Sequence, residues 1–130
     1  MSFNDTKRIY SIIKACLCLT VVDIFWVRNY MKPKYNRMVT KIQSKEPIYR
    51  IHTAFIAYFL MMFGMHTFVL EKTHLNYKSL FIRGAKFGLI TYGIYDATCA
   101  TIFEDWNISL AIQDVLWGSF VFGLSACASK

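Results

Sequence analysis

Four apolar blocks, each about 20 residues long, divide this chain, and a block of that length fits one structure best: a helix that crosses a bilayer. They run over residues 9–30, 51–70, 84–103 and 107–128, with boundaries good to a few residues. At 1.5 Å of rise per residue each covers about 30 Å, the thickness of the hydrocarbon core. Of the 130 residues 55% are hydrophobic, and the basic residues are pushed into the gaps between blocks. A soluble domain of this length would spread its apolar residues in amphipathic patterns instead. The net charge of +7 also invites comparison with a nucleic-acid binder. Such proteins carry their charge on an otherwise soluble fold, so that class is set aside and no nucleic acid is expected as a partner. The expected fold is all-α: one multi-pass integral membrane domain over residues 1–130, built as a four-helix transmembrane bundle.

The connections differ in kind. Residues 31–50 form the longest, bracketed by Pro33 and Pro47. Within it Tyr35, Met38, Val39 and Ile42 follow the i, i+3, i+4, i+7 rule, while Lys34, Arg37, Lys41 and Lys45 fill much of the rest. This is the pattern of an amphipathic surface helix over residues 34–46, suited to an anionic lipid surface; a solvated basic loop is the alternative. The second connection, near residues 71–83, is polar and basic. The third is tight, with Glu104, Asp105 and Trp106, so the last two blocks form an antiparallel hairpin. Lys7 and Arg8 precede the first block as in a signal peptide, but no small-residue cleavage site follows and Asp23 lies inside, so a retained span is expected. The positive-inside rule leaves orientation open. Eight basic residues fall on the N-terminal side and seven on the other, whereas the flanks of the first span alone favour a cytoplasmic first connection.

Three aspartates sit inside these blocks: Asp23, Asp96 and Asp114. A carboxylate in hydrocarbon is costly, so each needs a partner, water or a proton. Asp23 is seven residues before Tyr30, Asp96 seven before Phe103, and Asp114 seven after Asn107. Seven residues are about 10 Å, which puts all three at one depth below the face carrying the first and third connections. On the second span that depth falls at Tyr58. The stripes beside the acids hold Trp26, Tyr92 and Trp117, with small residues that let helices approach closely. Arg28, five residues above Asp23, is a candidate counter-ion.

Other constellations are weaker. Met61, Met62, Met65 and His66 crowd the end of the second span and resemble a soft Cu(I) set, but a packing surface accounts for them better. Cys16, Cys18, Cys99 and Cys127 read as small packing residues. His52 and His74 are expected in solvated settings, Trp106 in the aromatic belt, and Lys14 and Lys86 snorkelling to the interface. Two short glycosylation sequons, at Asn4 and Asn107, lie close to membrane segments. No phosphate-binding glycine loop, Ser-His-Asp set or paired zinc motif is present, so no cofactor and no resident metal is expected.

The stretch RGAKFGLITYGIYDATCATIFEDWNISLAIQDVLWG, residues 83–118, resembles the small predicted membrane proteins grouped as domain of unknown function 2177. The shared steps are Gly84 and Gly88, Tyr95-Asp96-Ala97-Thr98, Trp106-Asn107, and Asp114-Val115-Leu116-Trp117-Gly118. Val22-Asp23-Ile24-Phe25-Trp26 is similar to a further step of that family. Ala97, Cys99 and Asn107 depart from its pattern, which has Leu, Asn and Pro there. The resemblance implies a four-span membrane protein whose polar signature includes the three aspartates. It implies no activity.

Two functional classes remain. In the first, a small transport protein moves a cation or protons through Asp23, Asp96 and Asp114, with Trp26, Trp117, Tyr58, Tyr92 and Arg28 shaping the site. Four spans enclose little room, so conduction points to a homo-oligomer. In the second, the acids fix helix packing in a non-catalytic scaffold. An intramembrane enzyme acting on a lipid-borne substrate is a more distant third, since no motif names such a reaction.

Overall fold

The computed structural model describes the backbone of residues 3–71 and 75–130, and side chains from residue 5 onward within them. His74 and Lys72 therefore lie outside the described residues, as does the side chain of Asn4. Among the described residues the fold is all-α. Five α-segments build four rods: α1 (Phe3–Trp26) runs on into α2 (Lys32–Gln43), followed by α3 (Ile51–Gly64), α4 (Tyr77–Ile102) and α5 (Ile108–Ala128).

The first rod is not broken at Pro33, contrary to the expectation of a connection starting at residue 31. A π-helical turn over Val27–Met31 joins α1 to α2, with the Lys32 amide bonding the Val27 carbonyl. A proline inside an α-helix removes one hydrogen bond and crowds the carbonyl four residues earlier. The wider turn relieves that crowding just before Pro33, and Pro33 sits in the first turn of α2, where its missing N–H is harmless. The helical run from Asp5 to Gln43 holds 39 residues. At 1.5 Å each it is about 58 Å long, roughly twice the hydrocarbon thickness, so part of it lies beyond the membrane core. It ends at Ser44, which takes the left-handed conformation at φ 56°.

The surface-helix pattern thus corresponds to α2, starting and ending slightly earlier than residues 34–46. Its apolar stripe is not free for lipid. Met31 and Met38 are buried with Trp106, Leu110 and Ala111, and Tyr35 and Ile42 pack against them. α2 therefore covers the turn end of the α4–α5 hairpin. Lys41 pairs with Asp105 at 2.7 Å, and the Asn107 amide donates to the Met38 sulfur.

The hairpin is the most closely packed part of the bundle. Gly84 lies against the Phe122 carbonyl and Gly88 against the Gly118 carbonyl; a Cβ on either would stand 2.3 or 2.1 Å from that oxygen. The two backbones can approach only because both positions lack side chains. The hairpin's helices begin on side-chain caps: Asn76 accepts from the Ser79 amide and Asn107 from the Leu110 amide. The first cap explains why α4 begins at Tyr77, inside the segment expected to be a loop.

α3 joins this core through its C-terminal end. A second π-helical turn, Met65–Leu70, buries Met65, Val69 and Leu70 among Ala15, Leu19, Leu80 and Phe122. Gly64 marks the close approach to α4, where Phe87 fills the space. Away from that point the helix diverges, and residues 51–57 are all exposed.

Three helical runs, residues 5–43, 51–70 and 108–128, are long and apolar enough to cross a membrane. α4, with 26 residues, is also long enough, but Lys78, Arg83, Lys86 and Asp96 dilute its hydropathy. It lies antiparallel along α5, from the Gly84–Phe122 approach to the Asp96–Asp114 pair, and so shares the path of that span.

Candidate functional site

The three intramembrane acids are all buried, at 2% exposure for Asp23, 3% for Asp96 and 8% for Asp114. They do not close into one cage. Among the described residues no three His, Cys, Asp or Glu side chains are grouped to hold a metal ion. The cluster is instead one acid beside a pair.

Asp23 is the point where the four rods meet. From α3 the Tyr58 hydroxyl donates to its Oδ2 at 2.7 Å. From α4 the Tyr92 hydroxyl donates to Oδ1 at 2.9 Å, and from α5 the Trp117 indole donates to Oδ1 at 2.9 Å. A carboxylate offers about four acceptor positions, so three donors leave it nearly saturated. Trp117 is held in place by stacking on Trp26, with ring centroids 4.3 Å apart, and Trp26 stacks in turn on Tyr30. Gly118 leaves the room that the Tyr92 ring needs.

Asp96 and Asp114 face each other across the hairpin. Asp96 accepts from the Trp106 indole at 3.3 Å through Oδ1, while its Oδ2 is buried and, among the described residues, receives no donor. Two ionised carboxylates are both acceptors, so a hydrogen bond between them requires a proton.

Arg28 stands apart from this pair. It is exposed and makes no ion pair with Asp23; the one salt bridge among the described residues is Lys41–Asp105. The π-helical turn after Trp26 carries Arg28 to the mouth of a cleft instead. This cleft lies between α1, α3 and α4, where α3 diverges. Its deeper part holds about 620 Å³ and is walled by residues such as Ala57, Leu60, Met61 and Phe87. Its upper part, about 570 Å³, is edged by Arg28, Lys32 and Tyr49. Val27, Ala54, Tyr58, Tyr92, Tyr95 and Asp114 line both parts, so the two are continuous.

Several participants lie outside the sequence-based set. Trp106 was expected in the aromatic belt, yet it is buried at 7% exposure and bonds Asp96. The tight 103–107 turn folds it back down the hairpin, where Tyr35 and Tyr95 meet it edge-on. The Tyr35 hydroxyl donates to the Tyr95 hydroxyl at 2.9 Å, tying α2 to the wall of the site. The signal for Trp106 was its place at a turn between two acid-bearing spans. Nothing in the pattern marked Tyr35 as part of the site, because its partner depends on the first rod running on past Pro33 to lie beside the hairpin. Met65 is core and His66 half-buried, in line with a packing role for the methionine-rich end of the second span.

A family model described as "Predicted membrane protein (DUF2177)" matches residues 8–130. Comparison with curated proteins gives no match, and neither does comparison with solved structures.

Proposed function

We propose, from the premise that this chain belongs to the DUF2177 family of predicted membrane proteins, that it moves protons across its membrane through the Asp96–Asp114 pair. The observation that carries this reading is the pair itself: two buried carboxyl groups facing each other across the hairpin, with no basic partner among the described residues. Buried charge without a partner is resolved by protonation, and a shared proton is one that can be exchanged. Protons suit the site better than a metal cation, because the acids are split one and two. Asp114 lines the cleft and is the member through which protons enter. Tyr92 and Tyr95 form the neighbouring wall. Four spans enclose little room, so a full path across the membrane is formed between several copies of the chain.

The test is proton flux in liposomes carrying the purified full chain and a pH-sensitive dye. Flux is expected from the parent protein and is lost in Asp114→Asn and Asp96→Asn, with helicity unchanged. Absence of flux in the parent, with both variants folding as well as it does, overturns the proposal. The scaffold reading would then stand, and one observation favours it: the saturation of Asp23 by donors from three other helices.

A further inference from the structure

We infer that the cleft between α1, α3 and α4 takes an anionic glycerophospholipid from the bilayer, its phosphate at Arg28 and Lys32 and one acyl chain along the deeper wall. The inference is independent of proton movement and rests on how the cleft is zoned.

The mouth is cationic. Arg28 and Lys32 edge it and are exposed, and among the described residues neither is in an ion pair. The Lys32 ammonium lies 4.9 Å from the centre of the Tyr49 ring, and Tyr49 is tied by its hydroxyl to Asn36, which roofs the mouth. The middle is polar, with Asp114 and the hydroxyl-bearing rings of Tyr58, Tyr92 and Tyr95. The deep end is mostly apolar, walled by Leu60, Met61 and Phe87, with Thr91 and the Asp23 carboxyl group, already held by three donors, beside them. Phosphate, glycerol ester and acyl chain follow one another in that order from the surface of a leaflet inward. The cationic end also lies where a headgroup would sit. Arg28 is five residues above Asp23, about 7 Å nearer the membrane face.

Access is lateral. Residues 51–57 of α3 are exposed along their whole length, so a lipid enters from the membrane plane rather than from water. A hollow of about 600 Å³ falls within the usual range of ligand sites. The basic face of α2 beyond Lys32 is a different surface: Lys34, Arg37 and Lys41 line a separate hollow of about 410 Å³ with Asp105 and Gln113, and the apolar side there is occupied by Trp106 and Leu110.

Native mass spectrometry of the detergent-purified chain, titrated with phosphatidylglycerol or phosphatidylcholine, tests this. At least a tenfold preference for phosphatidylglycerol is expected. The double variant Arg28→Gln, Lys32→Gln should bind both lipids at the phosphatidylcholine level. Ala57→Trp should lower binding of both by filling the cleft; Ala54→Phe serves if that variant fails to fold. Equal binding of the two lipids by the parent overturns the inference. So does a preference that survives the double variant, or one removed instead by Lys34→Gln, Arg37→Gln, Lys45→Gln, which would assign the lipid to the basic surface beyond Lys32.

Discussion

The indole of Trp26 and the indole of Trp117 stack on one another, yet only one has a polar partner. Trp117 donates to Asp23, while the Trp26 Nε1 is buried and, among the described residues, finds no acceptor. An unmet buried donor costs about 1–3 kcal/mol, so replacing it with an apolar ring removes a penalty along with some area. Trp26→Phe is therefore expected to leave the unfolding midpoint in detergent unchanged or higher. Trp117→Phe should lower stability by about 1–3 kcal/mol, since it strips a donor from a buried carboxyl group. Tyr92→Phe should behave like Trp117→Phe, and Asp23→Ala should cost more than either because it strands three donors. Depth counting along helices was enough to select Asp23, Asp96, Asp114 and Tyr58 from the sequence. It could not separate Asp23 from the other two, because equal depth says nothing about which neighbours turn inward. Arg28 shows the limit plainly: its sequence distance from Asp23 suited a counter-ion, but the π-helical turn rotates it away.

Among the helices, α4 and α5 need glycine for backbone-to-backbone approach, whereas Gly64 of α3 makes room only for the Phe87 ring. Gly88→Ala places a methyl group 2.1 Å from the Gly118 carbonyl, a backbone atom that cannot move aside cheaply. A loss of about 1–3 kcal/mol or more is expected on thermal unfolding. Gly93 on the same helix meets nothing within 4 Å. Gly93→Ala should be neutral or stabilising by up to about 1 kcal/mol through helix propensity alone. The Lys41–Asp105 pair that pins α2 is solvent-exposed, with side chains 69% and 50% accessible. Lys41→Ala should change stability by less than about 1 kcal/mol, which double-mutant analysis with Asp105→Ala can measure. The positions of the helices were readable from apolar length and from the tight turn at residues 104–106. The length of the first rod was not. Proline signals a break in most contexts, and only the π-helical turn makes Pro33 compatible with a continuous helix.

For the molecule as a whole, the part of α1 around Arg8 meets the C-terminal end of α5. Arg8, Ser129 and Lys130 line one small cavity of about 230 Å³, together with His66 and Leu80. Residues 44–50 and 103–107 lie at the other end, joined through Lys41 and Asp105. Once the four cysteines, all unpaired, are replaced, single cysteines at Arg8 and Lys130 should be labelled from one side of sealed vesicles. Cysteines at Lys45 and Glu104 should be labelled only from the other. Labelling of Arg8 and Lys130 from opposite sides would rule out an even number of crossings. The bundle's meeting point also carries a timing cost during biogenesis. Asp23 leaves the ribosome ahead of its donors, which trail it by 35, 69 and 94 residues. At 5–20 residues per second the last arrives roughly 5–20 seconds later. A nascent first span must wait that long beside the insertion machinery, in water or with its acid neutralised, before the final segment delivers the indole that completes its shell.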